Sequence, residues 1–269
     1  MKFKKIAILG GGNLGSSIAK GLLSVNAIAA EDLTVTRRRL HLIEDLKQLG
    51  VIITSDNVAA IKDKELIIIA VKPHQIMGLL SEVATYIDPK NQIVISAVTG
   101  IAISQLETIV PNVPVYRAMP NTAIAINESM TCIAGNGKYK QHEEDVKNVF
   151  EPLGTTIIIS EELMGAATVI GACGIAFALR FMRAMSQGGI EIGFSADISQ
   201  LITAQTIKGA AQLILESGNH PEKEIDKVTT PMGVTISGLN EMEHQGFSSS
   251  VIKGLITSYN KLDLVKSKK

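Results

Sequence analysis

Three glycines near the start of the chain, Gly10, Gly12 and Gly15, have the spacing G-x-G-x-x-G. They follow a short apolar stretch and open a helical pattern, and in this context the spacing is typical of a dinucleotide site. Gly10 is expected to make the tight turn, Gly12 to let the backbone approach the pyrophosphate, and Gly15 to let helix and strand pack closely. The N–H groups around Asn13 and Leu14 are then expected to face the phosphates. The alternative is an ordinary glycine-rich turn.

Three arginines follow the second apolar stretch, which ends at Thr36. Sites for NAD usually have an acidic residue at this point for the ribose 2′-hydroxyl, but Glu31 and Asp32 lie before the stretch, at its wrong end. A hydroxyl and guanidinium groups suit a 2′-phosphate instead. Thr36, Arg37 and Arg38 therefore predict NADP(H) as the preferred cofactor, with NAD(H) possible. The alternative is a solvated helix start.

Two more apolar stretches end in loops that are predicted to reach the same cofactor. The segment IIIAVKPHQ breaks off at a Val-Lys-Pro sequence, and ISAVTG repeats the pattern. Ligands of open α/β sheets bind at the carboxyl ends of strands. Residues Ala70, Val71, Lys72 and Pro73 are therefore expected to line the cofactor, and Ala97 is expected to lie near its nicotinamide.

A second segment with chemical potential, VTTPMGVT, lies far along the chain between helical patterns. Thr230 followed by Pro231 predicts an N-cap with proline at the first helical position. The helix is expected to run to about Gln245, with Gly246 as its stop. Its first free N–H groups form an anion site, which Gly233 leaves open to close approach. The alternative is a capped structural helix without a ligand.

The elements that must position these residues change in kind along the chain. Short runs rich in Ile and Val predict strands at residues 4–9, 33–36, 51–54, 66–71, 92–96, 113–118, 130–134 and 155–159. Helical patterns such as 13–25, 38–49 and 74–86 lie between them. This alternation predicts an α/β fold with a doubly wound, Rossmann-like sheet over residues 1–160.

After Ser160 the strand signals stop, and residues 161–269 are predicted to form an all-α domain. Its first helix is long and is built mostly from small or apolar residues, so it needs cover on most sides. A domain of this size cannot easily bury such a helix alone. We therefore expect a helical core shared between subunits, in a homodimer or a higher homo-oligomer.

Composition excludes several classes of protein. The 269 residues include 26 basic and 26 acidic side chains, with 4% aromatics and no Trp, so no nucleic-acid partner is expected. Two cysteines, Cys132 and Cys173, make no disulfide framework, which favours a cytoplasmic location. No His/Cys cluster has metal-ligand spacing, so no metal is expected. No apolar stretch is predicted to serve as a signal peptide or membrane span.

Five segments together resemble the pyrroline-5-carboxylate reductase family: GGGNLGSSIAKGL, LIIIAVKPHQI, YRAMPNTAIAINES, QGGIEIGFS and TTPMGVTISGLNEMEHQGF. The resemblance covers nearly the whole chain. It implies a Rossmann domain followed by a helical domain that interlocks in dimers, often assembled into decamers. It also implies hydride transfer from NAD(P)H to the cyclic imine of 1-pyrroline-5-carboxylate, which gives L-proline in the last step of proline biosynthesis.

The resemblance assigns roles to further residues. Asn57 corresponds to a cofactor contact, Met119 is expected to cover the nicotinamide, and Asn121 to bind the substrate or the carboxamide, unless Pro120-Asn121 is only a β-turn. Thr235 is expected to orient or protonate the imine nitrogen as the catalytic residue. The expected substrate-binding residues of the second segment are Thr230, Met232, Gly233, Val234 and Thr235.

Two departures from the family pattern leave alternatives open. The segment GACGIAF (171–177) replaces G-S-G-P-A-Y/F, and Met232 replaces a glycine. A reductase of a related cyclic imine, or a non-catalytic NADP-binding sensor, is therefore an alternative. A β-hydroxyacid dehydrogenase needs a lysine in its interdomain helix, but no lysine occurs between Lys147 and Lys208.

Overall fold

The computed structural model describes residues 2–267, with side chains up to Leu262. The chain forms two compact units. One comprises the residues up to Cys173 together with the segment from Tyr259 onwards, and the other runs from Gly174 to Ser258. The predicted division at residue 160 follows the end of the last strand and stays a prediction.

Eight strands form one sheet in the order β3-β2-β1-β4-β5-β6-β7-β8. Neighbouring strands are parallel except for β6 and β7, which are antiparallel. All eight predicted strands are present, which confirms the doubly wound Rossmann-like fold. The strands are β1 Ile6–Leu9, β2 Leu33–Thr36, β3 Ile52–Thr54, β4 Leu66–Ile69, β5 Ile93–Ser96, β6 Val115–Met119, β7 Ser129–Ala134 and β8 Gly154–Ile158.

The helices confirm the alternation but shorten several predictions. The segments 38–49 and 74–86 are each a short α-helix extended by 3-10 turns rather than one continuous helix. The helices are α1 Asn13–Ser24, α2 Glu44–Gln48, α3 Asn57–Ile61, α4 Ile76–Val83, α5 Ile103–Glu107, α6 Glu143–Phe150, α7 Met164–Ala167, α8 Gly174–Glu191, α9 Ala196–Ser217, α10 Pro221–Val228, α11 Val234–His244 and α12 Phe247–Ser267.

The central strands explain why the sheet reads as apolar throughout. Every residue of β1, β2, β4 and β5 is buried. Successive side chains alternate between faces, so Ile8 and Ile68 lie in one apolar cluster while Leu9 and Ile67 lie in another. Helices therefore cover both faces, as parallel sheets require.

The unit from Gly174 to Ser258 is helical and has almost no interior of its own. Its only buried residues, among side chains that are all described, are Ser199 and Thr203. Large apolar side chains stand exposed, with Ile192 at 79%, Leu201 at 70% and Leu215 at 76%. An apolar surface of this extent marks an interface.

The expectation that no apolar stretch spans a membrane stays a prediction, although one helical run passes the criteria of length and composition. The helical run Glu161–Glu191 has 31 residues and contains a stretch that is long and apolar enough to cross a membrane. The same two criteria also describe a helix that packs inside a protein core, so no contact with a membrane follows from them.

Candidate active site

The carboxyl ends of the parallel strands meet at one edge of the sheet. Leu9 at the end of β1 is paired with Thr36 of β2 and with Ile69 of β4. Ile69 is in turn paired with Ser96 of β5. From β1 the chain first builds the sheet to one side, through β2 and β3, and then to the other side, beginning with β4. The strand order therefore reverses between β1 and β4, and sheets of this kind bind ligands at such a switch point.

The first turn at this edge has the geometry of a phosphate cradle. Gly10 has φ of 112°, and a side chain there would come within 2.6 Å of the Ala70 carbonyl oxygen. A side chain at Gly15 would overlap the Gly10 carbonyl oxygen, whereas one at Gly12 would meet no atom within 4 Å. The backbone at Gly12 is therefore open to a ligand, while the other two glycines are required by packing.

The end of β2 holds this turn in place. The Gly10 N–H donates to the Thr36 hydroxyl (3.2 Å), and the Gly11 N–H donates to the Thr36 carbonyl oxygen (2.6 Å). Arg37 Nη1 donates to the Gly11 carbonyl oxygen (2.7 Å) and to that of Leu42 (3.3 Å). Thr36 and Arg37 thus contact the glycine turn itself, a role that the sequence does not suggest.

Arg38 and Asn57 lie on the outer part of the same edge. Arg38 is exposed, and no hydrogen bond or ion pair to it occurs within residues 2–267. Its guanidinium is therefore available to an anion. Asn57 is the first residue of α3 and donates its side-chain amide to both carboxylate oxygens of Glu82 at 3.3 Å.

The other predicted cofactor residues follow β4 and β5 directly. The Ala70 N–H donates to the Leu9 carbonyl oxygen (2.8 Å), and the Ala97 N–H donates to that of Ile69 (2.9 Å). Residues 71–73 continue from Ala70 into a short 3-10 turn. The structure thus brings the residues predicted at these two strand ends to the same edge as the glycine turn.

Met119 and Asn121 lie at the end of β6 and are both buried. The Thr99 hydroxyl lies 4.0 Å from the Met119 sulfur. The Asn121 side chain caps a 3-10 turn by accepting from the Ala123 N–H (3.0 Å), and its amide donates to the Gly171 carbonyl oxygen (3.1 Å). The polar atoms of Asn121 already have partners within the protein.

The predicted helix start at Thr230 is wrong. The helix begins at Val234 with Gly233 as its N-cap. The preceding residues form a turn in which the Gly233 N–H donates to the Thr230 carbonyl oxygen (2.9 Å). Pro231 occupies the second position and Met232, with φ of 58°, the third. Proline followed by a residue of positive φ defines a type II turn.

This turn explains the departure at Met232. The third position of a type II turn needs positive φ, which glycine adopts without strain. The Met232 side chain is fully exposed, so the cost of this residue lies in the positive φ of its backbone rather than in a side-chain clash. Gly233 has no such freedom, since a side chain there would lie 2.6 Å from the Thr230 hydroxyl oxygen.

The first turn of α11 keeps unpaired N–H donors. No side chain caps the helix at Gly233, and Val234 and Thr235 are exposed. The unpaired N–H groups at a helix start attract anions, so the predicted anion site moves to the start at Val234. The predicted end is confirmed, because α11 ends at His244 and Gly246 follows with φ of 79°.

A charged side chain in β6, Arg117, was not predicted from the sequence as part of this region. Arg117 in β6 is buried, and its Nη1 lies 3.3 Å from a carboxylate oxygen of Glu161. The same oxygen accepts from the Ile103 N–H (2.7 Å). Burial lowers the pKa of Arg117. The available signal was an arginine inside a strand that is otherwise apolar.

The two groups of candidate residues lie in different units. The cofactor candidates and Asn121 belong to the sheet unit, and residues 230–235 belong to the helical unit. Within residues 2–267, no three His, Cys, Asp or Glu side chains converge to hold a metal ion. Burial raises the pKa of the Cys132 thiol, which disfavours its reactive thiolate.

Comparisons with known proteins cover both units. Residues 161–263 match the family model described as pyrroline-5-carboxylate reductase dimerisation, and residues 5–100 match one described as NADP oxidoreductase coenzyme F420-dependent. The chain is 44% identical to pyrroline-5-carboxylate reductase 2 of Dictyostelium discoideum, over 96% of this chain and 92% of the relative. It is 45% identical to pyrroline-5-carboxylate reductase 1 of the same organism, of which it spans about half, 49%.

A solved structure is similar over its full length. The pyrroline carboxylate reductase of Plasmodium falciparum, solved with NADP bound, has a TM-score of 0.89 and 25% sequence identity to this chain. The match covers 98% of each chain.

The contacts of the neighbouring arginines predict separable effects on cofactor binding. Arg37→Ala should weaken NADPH and NADH alike, because the Gly11 carbonyl loses its donor. Arg38→Ala should weaken NADPH by roughly tenfold or more and leave NADH unchanged, since a charge-assisted bond contributes about 1.5–3 kcal/mol. Fluorescence titration of both cofactors against each variant measures this; equal selectivity in the two variants would contradict it.

The type II turn predicts that Met232→Gly stabilises the protein. Removing a non-glycine residue from positive φ should raise the free energy of unfolding by about 1 kcal/mol, after the extra entropy of glycine in the unfolded chain is subtracted. The matched control is Met242→Gly inside α11, which should lower it by about as much. Thermal unfolding followed by circular dichroism compares the two; destabilisation by Met232→Gly would refute the turn assignment.

Proposed function

This chain belongs to the pyrroline-5-carboxylate reductase family, and we propose that it transfers a hydride from NADPH to the cyclic imine of 1-pyrroline-5-carboxylate, giving L-proline. The observation that carries the proposal is the full-length similarity to reductases of this name together with a glycine cradle that fits a dinucleotide. The product of this reaction is L-proline itself, so the proposed role is the last step of proline biosynthesis.

The cradle fits the pyrophosphate of the cofactor. Space is open above Gly12, and no side chain caps the start of α1, so its first N–H groups can donate to phosphate oxygens. The exposed Arg38 is available to the 2′-phosphate. Ala70 and Ala97 follow β4 and β5, Met119 ends β6, and the three would flank the nicotinamide. NADPH, when bound, supplies the hydride.

Residues 230–235 are proposed to bind and orient the substrate. The imine nitrogen is basic enough to be protonated in water, so the protein needs to orient the ring rather than activate it strongly. The free N–H groups at the start of α11 would bind the substrate carboxylate, with the turn from Thr230 to Gly233 fixing their direction. The exposed hydroxyl of Thr235 would donate to or accept from the ring nitrogen.

The proposed function is accompanied by proposals for the oligomeric state, the location and the partners of the protein. We infer a homodimer or a larger homo-oligomer in the cytoplasm, with a small-molecule substrate and neither nucleic acid nor membrane as a partner. The exposed apolar side chains of the helical unit support the oligomer, and the run Glu161–Glu191 would then be covered by protein rather than lipid. The balanced charge of the chain supports the absence of a nucleic-acid partner.

Oligomerisation is tested by the mass of the particle in solution. Light scattering after gel filtration should give at least twice the 28.7 kDa of one chain. Leu201→Glu places a charge among the exposed apolar side chains of α9 and should lower the mass or the solubility. Leu49→Glu, at an exposed position of the sheet unit, is the control and should change neither. A monomeric parent protein would contradict the proposal.

The reaction is tested by the absorbance of NADPH with three substrates in parallel: NADPH oxidation with pyrroline-5-carboxylate and with its six-membered homologue, and NADP reduction with a 3-hydroxy acid. We expect turnover with the first. Preference for the six-membered imine would identify a related reductase, and cofactor binding without any turnover would identify a sensor. Either result rejects the proposed substrate.

The role of Thr235 is tested with the same assay. Thr235→Ala should lower kcat about tenfold or more and leave the affinity for NADPH unchanged, because the hydroxyl belongs to the substrate site. Thr229→Ala, just before the turn, is the matched control and should retain the parent kcat. Unchanged kinetics in Thr235→Ala would remove this residue from the mechanism.

A further inference from the structure

The sheet unit contains a cavity that neither the cofactor cradle nor the α11 start explains. Its volume is about 370 Å³, at the small end of the range of small-molecule sites. It lies between the loop that follows β5 and the helical segment that follows β8. Its walls include Thr99, Ile101, Arg117, Glu161 and Leu262.

The buried Arg117 is the unusual member of this wall. Its side chain is 8% exposed, yet among the described residues only Nη1 has a hydrogen-bond partner, a carboxylate oxygen of Glu161. The Nε atom is buried without one. A guanidinium offers five N–H donors, and a buried charge with so few partners is costly unless another group satisfies it. Arg117 therefore has spare donors beside an open cavity.

The two carboxylates of the cavity are not equivalent. Glu161 uses one oxygen for both Arg117 and the Ile103 N–H, so it fixes the start of α5. Glu162 also lines the cavity but is exposed, and no hydrogen bond or ion pair to it occurs within residues 2–267. The cavity thus presents one under-satisfied cation and one free anion.

We propose that this cavity binds a small zwitterionic amino acid. The carboxylate of the ligand would accept from Arg117, its ammonium group would donate to Glu162, and its apolar part would lie against Ile101 and Leu262. A simple anion would face two glutamates, and a simple cation would face the guanidinium. A zwitterion meets a charge of opposite sign at each end.

The position of the cavity gives such binding a consequence. Thr99 lines the cavity, and its hydroxyl lies against the Met119 sulfur. The loop that carries Thr99 begins at Ala97, at the carboxyl edge of the sheet. A ligand that orders this loop would alter cofactor affinity, and the cofactor would alter ligand affinity by the same factor. The proposal does not depend on which imine the protein reduces.

The test is calorimetric titration of the full-length, cofactor-free protein. The probes are L-proline and L-valine as zwitterions, acetate as a carboxylate alone and propylamine as an ammonium alone. We expect saturable binding of at least one zwitterion, and about tenfold or weaker affinity for each singly charged probe, since each lacks one charge-assisted bond. No saturable heat with either amino acid, or acetate binding equally well, overturns the proposal.

Variants distinguish this cavity from the substrate site. Glu162→Gln should weaken amino-acid binding about tenfold, while Glu128→Gln, an exposed glutamate elsewhere in the sheet unit, should not. Ala102→Leu fills the cavity and should abolish binding; if that variant fails to fold, Glu162→Gln decides alone. Thr235→Ala should bind the amino acid as the parent does. Loss in Thr235→Ala with none in Glu162→Gln would place the ligand at the substrate site and overturn the proposal.

Discussion

The hydrogen bonds between the end of β2 and the glycine turn after β1 are the contacts on which the predicted cofactor site depends. Gly11 is held on both sides, because its N–H donates to the Thr36 carbonyl oxygen and its carbonyl oxygen accepts from Arg37. This fixes the turn relative to β2, so the N–H groups at the start of α1 have one direction. Preorganised donors of this kind need no rearrangement when an anion binds.

The helical unit follows a different physical rule. Its helices are apolar but bury almost nothing within residues 174–258. The hydrophobic effect therefore favours association of this surface with another one. The family model matched by residues 161–263 is described as a dimerisation domain, which supports homo-oligomerisation as the way this surface is covered.

The error at Thr230 shows where a local pattern is ambiguous. Proline suits the first position of a helix and also the second position of a β-turn, so Thr230-Pro231 fits both. The positive φ of Met232 separates the two cases. The sequence does not predict it, because methionine has no preference for positive φ. Gly246, by contrast, was predictable as a helix stop because glycine is the residue that most readily adopts the required conformation.

The sequence by itself determined the features that depend on near neighbours along the chain: the glycine spacing, the eight apolar strands and the change to helices after Ser160. Only the tertiary structure decided which arginine contacts the glycine turn, because Arg37 and Gly11 are 26 residues apart. It alone also showed a cavity beside Arg117. Such contacts depend on how distant segments pack, and the burial that makes them costly or favourable exists only in the folded chain.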